Sequence, residues 1–313
     1  MSLQTYLITG GAGNIGSALA KKLADDPENL VVIVDDLTTG SIHKVPKSNN
    51  VVFIKADAND LQDLIPIFGR YDFDYVFHYA AVVGVQRTLD NPMKVLEDIE
   101  GIKNILSLCK NTGVKRVCYS SSSEVYGEPF EIPQNEQTTP LNSRLPYAIV
   151  KNVGEAFFRS YQQAYGLPFT IFRFFNTYGP DQSEDFVIPK FVKAALKNKP
   201  LNIYGDGSQT RSFCYVDDNV DACLMALKSK EHENEVLNVG SDVEMSILEL
   251  AQQVIAITGS SSQLNHLPPL EEGDMTRRCP DISKMKTLLN RPLKSLEEGL
   301  PHLIQYYARR KES

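Results

Sequence analysis

The chain has no tryptophan, and only five histidines and five cysteines among its 313 residues. The histidines are scattered and no C-x-x-C pair occurs, which argues against a zinc site built on paired ligands. Cys109, Cys118, Cys214, Cys223 and Cys279 form an odd, dispersed set. Such a set reads as free thiols in a reducing compartment, not as a disulfide framework. No apolar run reaches the roughly 18 residues that a membrane helix needs. The opening M-S-L-Q-T-Y-L-I-T-G lacks the basic region of a signal peptide. Lys and Arg are nowhere concentrated, and the net charge of -7 gives a nucleic acid or an acidic membrane little to hold. The adjacent Asp217 and Asp218 read as a helix cap and a solvated charge, not as metal ligands. The expectation is a soluble cytoplasmic protein with no metal, membrane or nucleic-acid partner. Its length suits one large domain or two unequal ones.

What the sequence does contain begins at its N-terminus. Residues 5–9 are a short β-rich apolar run, followed by Gly10-Gly11-Ala12-Gly13-Asn14-Ile15-Gly16 and a helical pattern to Ala24. Strand, glycine turn and helix come in the order of a dinucleotide-binding unit. Gly10 permits the tight turn, Gly13 a close approach to a pyrophosphate, and Gly16 close packing of helix on sheet. The helix N-terminus, at Asn14 and Ile15, offers free N–H groups to phosphate. A second strand over 30–34 ends at Asp35, 19 residues after Gly16. A carboxylate there can accept both ribose hydroxyls and repel a 2′-phosphate, which points to NAD over NADP. Strand and helix then alternate. Strands are expected over 51–55, 75–79, 116–120 and 169–174, and helices over 61–68, 92–110 and 143–164. This predicts a doubly wound parallel α/β sheet, with ligands at the carboxyl ends of its strands. Asp57, at one such end, can meet an adenine edge. Ala80 and Ala81, at another, are small enough to let a cofactor lie close. After Asn176 the chain breaks into short pieces, so the expected division is 1–175 and 176–313. A segment near 211–228 is expected to return to the first domain.

Y-A-I-V-K at 147–151 puts a phenol and an ammonium four residues apart. On a helix both share one face. An ammonium beside a phenol favours the phenolate, lowering a tyrosine pKa from about 10 toward the range where it can deprotonate a sugar or alcohol hydroxyl. The same spacing also arises by chance on solvated helices, so its meaning depends on the dinucleotide motif upstream.

Six segments in order resemble those of the extended short-chain dehydrogenase/reductases that act on nucleotide sugars. They are T-G-G-A-G-N-I-G at 9–16, S-S-S-S-E-V-Y-G at 120–127, Y-A-I-V-K at 147–151, R-F-F-N-T-Y-G-P at 173–180, Y-G-D-G-S-Q-T-R-S-F-C-Y-V-D-D at 204–218, and R-R-C-P-D-I at 277–282. The resemblance implies a Rossmann-type sheet with a smaller C-terminal α/β domain for the nucleotide sugar, and NAD as cofactor. It implies that Tyr147 is the base and that Lys151 is its tuner and a nicotinamide-ribose ligand. Ser122 would bind the reacting oxygen. Asn176 and Arg211, helped by Arg278, would hold the diphosphate, while Val187 and Tyr204 flank the base. It also implies a homodimer pairing through the helices at 92–110 and 143–164. Asn14 departs from the family, which usually has an aromatic residue there, so altered packing behind the turn is expected.

The shared chemistry of that family is oxidation at sugar C4 to a ketone. The dehydratases among its members use an Asp-Glu pair where this chain has Ser123 and Glu124, so dehydration is disfavoured. UDP-glucuronate decarboxylases carry Ser-Glu, as here. The 80–92 segment lacks their Pro- and His-containing stretch and resembles the epimerase form. A nucleoside-diphosphate-hexose 4-epimerase is the leading expectation, a decarboxylase the second and a 4-dehydrogenase the third. A dinucleotide-binding redox sensor of the same fold would not need Ser122, Tyr147 and Lys151 together.

Overall fold

The protein is described from a computed structural model covering residues 3–269 and 277–309; the side chains of Val85 and Gln86, within the 80–92 segment, lie outside that description. The chain opens with β1 (Gln4–Thr9), α1 (Asn14–Ala24), β2 (Asn29–Asp35), β3 (Val51–Lys55), α2 (Leu61–Arg70) and β4 (Tyr75–His78). Next come α3 (Val85–Asp90), α4 (Pro92–Asn111), β5 (Arg116–Ser122), α5 (Pro146–Tyr165) and β6 (Phe169–Phe174). The rest is shorter: β7 (Thr177–Tyr178), α6 (Val187–Ala195), β8 (Leu201–Tyr204), β9 (Thr210–Ser212), β10 (Cys214–Tyr215), α7 (Val216–Lys228) and β11 (Glu235–Val239). It closes with β12 (Glu244–Ser246), α8 (Ile247–Thr258), β13 (Leu264–Leu267), α9 (Ser283–Leu289) and α10 (Leu296–Arg309).

Seven parallel strands form one sheet in the order β11-β6-β5-β4-β1-β2-β3. The order reverses at β1, which has β2 on one side and β4 on the other. A crevice at that switch point is where a doubly wound sheet takes its ligand. Successive side chains of a strand point to opposite faces, and the core divides accordingly. Leu7, Val32, Val76, Val117 and Ile171 pack under α2, α4 and α5. Tyr6, Ile8, Ile33, Phe77 and Phe172 pack on the other face, with α1, α6 and α7. Continuous apolar runs such as L-V-V-I-V are what a strand covered on both faces requires.

Two differences from expectation concern boundaries. The helix carrying Tyr147 starts at Pro146, not at 143, because Leu145 is extended (φ -78°, ψ 145°) and Pro146 takes the first helical position. The Ser143 hydroxyl is engaged elsewhere, donating to the Val125 carbonyl at 3.0 Å. The return to the main sheet also runs further than 211–228. Beyond α7, which packs on α1, strand β11 pairs with β6 as the edge of the sheet. The small sheets β10-β7, β12-β9 and β13-β8 stand apart from it.

Candidate active site

The glycine turn is made by backbone geometry. Gly10 has φ +70°, and a Cβ on it would sit 2.6 Å from the Ala80 nitrogen. At Gly16 a Cβ would meet the Gly10 carbonyl oxygen at 2.4 Å. Both positions therefore exclude any side chain. No side chain caps α1, so its first N–H groups face the cavity beside Gly13, Asn14 and Ile15. At the end of β2 the Asp35 carboxylate accepts from Ala12 N at 2.9 Å and Leu37 N at 2.8 Å. Burial pushes its carboxyl above the usual value, while these two amides pull the other way. Glycine cradle, open helix terminus and oriented carboxylate fit a dinucleotide: pyrophosphate at the turn and ribose at Asp35. Asn14 Oδ1 is buried against this turn with no hydrogen-bond partner among the described residues. A polar side chain thus opens α1, where an aromatic residue was the family expectation.

From that turn a cavity of about 330 Å³ runs along the carboxyl ends of β1, β2, β4, β5 and β6. Gly10, Gly13, Asn14, Ile15, Gly16, Asp35, Asp57, Ala80 and Ala81 line one end. Ser122, Glu124, Tyr147, Lys151, Asn176 and Arg278 line the other. Val187, Tyr204 and Arg211 do not line it. Val187 opens α6 just behind Phe186, which does line the cavity. Tyr204 is 41% exposed at the end of β8. The Arg211 side chain donates to the Thr210 carbonyl at 2.7 Å.

Lys151, on α5 one turn after Tyr147, is almost fully buried. Its ammonium donates to the Ser120 carbonyl at 2.6 Å and lies 5.7 Å from the Tyr147 ring centroid. Burial draws the ammonium down to about 8, opposed by the nearby Asp98 carboxylate. Tyr147 differs from expectation. Burial in the cavity pushes its phenol above the usual value, and the Ser122 hydroxyl, bonded to it, only partly offsets this. The expected lowering by Lys151 is not made, because the ammonium is anchored to the end of β5 and not to the phenol oxygen. Ser122 Oγ also accepts from Glu124 N at 3.2 Å. Glu124 Oε1 pairs with Arg278 Nη1 at 3.0 Å, and both side chains are largely buried.

Sequence reasoning missed Asp98. It lies on α4 inside the cavity, nearly buried, with Oδ2 accepting from Val82 N at 2.8 Å. A single acid in a long helix gives no local signal; only the fold brings it toward Lys151. Gln182 and Phe186, from the segment before α6, also line the cavity and belong to no motif. Asp218, set aside as a metal ligand, engages Arg291 Nη1 at 2.6 Å and Lys294 N at 2.8 Å.

Residues 6–240 match the NAD dependent epimerase/dehydratase family. A UDP-N-acetyl-alpha-D-glucosaminuronate decarboxylase of Bacillus cytotoxicus is 37% identical, with 96% of this chain and 97% of that one aligned. A putative UDP-glucose 4-epimerase of Methanocaldococcus jannaschii is 36% identical over the same shares. The crystal structure of a Thermotoga maritima UDP-glucose 4-epimerase with UDP-glucose superposes with a TM-score of 0.93 at 31% identity, covering 98% of this chain and all of that one. The chain belongs to the NAD-dependent epimerase/dehydratase family and is an enzyme whose cofactor is NAD.

Proposed function

We propose that the chain oxidises C4 of a nucleoside-diphosphate sugar and returns hydride to the opposite face of the ketone, as a UDP-hexose 4-epimerase. The observation that carries this reading is the meeting of Tyr147, Ser122 and Lys151 beside the glycine turn, at the carboxyl ends of β1, β4 and β5. NAD, when bound, supplies the hydride acceptor and later the donor, together with a positive charge that favours the Tyr147 phenolate. Tyr147 takes the proton of the C4 hydroxyl as C4 loses hydride, and returns it when the ketone is reduced. The Ser122 hydroxyl holds that oxygen in both states. Lys151, fixed by the Ser120 carbonyl, contributes a buried cation to the same site. Asp35 takes the adenosine ribose. Arg278 and Asn176 face the nucleotide-sugar end, where a guanidinium fork suits phosphate oxygens.

A second reading is favoured by the Glu124–Arg278 pair. The Arg278 guanidinium of that pair suits a sugar that itself carries a carboxylate. The similarity to a decarboxylase of such a sugar supports the same idea. One experiment separates the two. NMR is recorded on incubations with UDP-glucose, UDP-N-acetylglucosamine, UDP-glucuronate and UDP-N-acetylglucosaminuronate. Inversion at C4 with all carbons retained supports the epimerase. Loss of the carboxyl carbon from either uronate, with none of the four inverted, replaces it by the decarboxylase.

The proposed assembly is a cytoplasmic homodimer through α4 and α5. These helices lie side by side on one face and expose Met93, Leu96 and Ile149. All five cysteines are unbridged, as a reducing compartment would keep them. Among the described residues no helix is long and apolar enough to cross a membrane. The proposed division assigns NAD to residues 1–175 and the nucleotide sugar largely to 176–313, with α7 and β11 crossing back.

A further inference from the structure

The end of β5 is gripped from both sides, on one by side chains that no step of the proposed reaction uses and on the other by Arg278. Ser121, just before Ser122, donates to Glu155 Oε1 at 2.6 Å. Glu155 lies on α5 one turn past Lys151 and two past Tyr147, so the three share a helix face. Its carboxylate is forked by Arg173 of β6, at 2.8 Å to Oε1 from Nε and 2.7 Å to Oε2 from Nη2. Both side chains are 2% exposed. Arg173 stands opposite Ser121 in the β5–β6 register. Its Nη1 donates to the Tyr126 hydroxyl at 2.8 Å, and that hydroxyl donates to Asn238 Oδ1 of β11, also at 2.8 Å. Asn238 Nδ2 then donates to the carbonyls of Gln134 (2.9 Å) and Asp281 (3.2 Å). Backbone bonds of 2.8 Å, from Gln134 N to Cys279 O and from Asp281 N to Gln134 O, bind that segment down. From the same segment Arg278 reaches back to Ser123 Oγ at 3.4 Å and Glu124 Oε1 at 3.0 Å. The contacts close into a ring whose start and finish lie on either side of Ser122.

A buried ion pair is a poor source of stability, because apolar side chains of similar volume often serve as well. What it supplies is direction: a bidentate fork and hydroxyl bonds that fix angles as well as distances. We propose that this ring is a positioning device for the C4 reaction. Glu155 and Arg173 hold α5, and with it Tyr147, in register with Ser122. Tyr126 transmits that register to the segment carrying Arg278. The inference rests on the functional reading above and names Glu155, Arg173 and Tyr126 as positioning residues, none of which touches the substrate.

Tyr126→Phe is the decisive variant, since it removes only the oxygen that joins the two halves of the ring. The protein is expected to fold and to titrate NAD with an affinity within about twofold of wild type, while kcat/KM falls about tenfold, the cost of a small misplacement. Arg278→Lys is expected to lose at least about fivefold less in the Tyr126→Phe background than in wild type, the non-additivity of residues acting as a unit. Hydrogen exchange of the Gln134 and Asp281 amides is expected to quicken while that of β1 and β2 stays unchanged. Glu155→Gln, which keeps the shape and removes the charge, serves as a second variant and is expected to lower kcat/KM with NAD binding retained. An additive cycle, or an unchanged kcat/KM in Tyr126→Phe, overturns the proposal. If wild-type protein converts none of the nucleotide sugars, the functional reading fails separately and hydrogen exchange alone decides: quickening upholds the ring, no change overturns it.

Discussion

The two ends of the cavity are built in different ways. The cofactor end is mostly backbone: a left-handed glycine, a helix terminus and one carboxylate already held by two amides. Its turn, helix terminus and carboxylate lie close together in the chain, at residues 10–16 and 35, and are joined by Asp57, Ala80 and Ala81 from later strand ends. The sugar end is mostly side chain. Its groups come from β5, α5, the segment after β6 and the segment before α9, and a buried ring joins β5, α5 and the segment before α9. The contrast implies that the cofactor end tolerates little change in backbone and the sugar end little change in side-chain reach. It also implies that binding and chemistry can be separated by substitution.

The largest expected effect tests that separation. Tyr147→Phe removes the proposed proton acceptor and nothing from the glycine turn, so turnover is expected to fall at least about a thousandfold, within the range of general acid–base catalysis. NAD binding, followed by fluorescence titration, is expected to hold. Loss of NAD binding, or turnover within tenfold of wild type, would break the contrast.

Next is stability. Burial draws the Lys151 ammonium from 10.5 down to about 8, so below pH 8 the folded, cofactor-free protein carries a charge it would hold more easily unfolded. Between pH 8 and 10.5 the unfolded state binds more protons, and this cost, about 3 kcal/mol at most, fades as pH rises. Lys151→Met removes the titration. Its stability advantage over wild type, read from urea midpoints, is therefore expected to be greatest below pH 8 and to shrink toward pH 10.5. A gap independent of pH contradicts the assigned burial of charge.

At the cofactor end, Asp35→Asn is expected to weaken NAD by about tenfold, the scale of one charged hydrogen bond, and to narrow the preference over NADP. Competition binding with the two cofactors measures it. The smallest effect belongs to Tyr204→Ala. Tyr204 lies outside the cavity, so KM for the nucleotide sugar is expected to change less than about threefold, as for a surface substitution. A tenfold rise would extend the sugar end beyond the boundary drawn above.

The same contrast governs how much could be read from the chain. Continuous apolar strands between glycine and proline punctuation made the sheet legible, and the glycine turn with Asp35 declared the cofactor. The helix was expected to start three residues too early, at 143, whereas Leu145 is extended and Pro146 takes the first helical position. Strand β11 is an ordinary five-residue run whose place is set by pairing with β6, more than sixty residues earlier. Spacing put Tyr147 and Lys151 on one face but said nothing of burial, so the direction of the phenol's shift was read wrongly. Arg173 and Tyr126 lie inside the motif segments but received no role there, and Glu155 and Asn238 lie in none, since each gains its meaning from a partner elsewhere in the fold.

The shared root of both functional readings is hydride leaving and re-entering C4, and a substrate deuterated there tests it directly. UDP-glucose or the corresponding uronate, labelled with deuterium at C4, is expected to yield product that still carries the label at C4, because the hydrogen stays with the enzyme between the two transfers. Product formed with the deuterium lost to solvent would contradict the account.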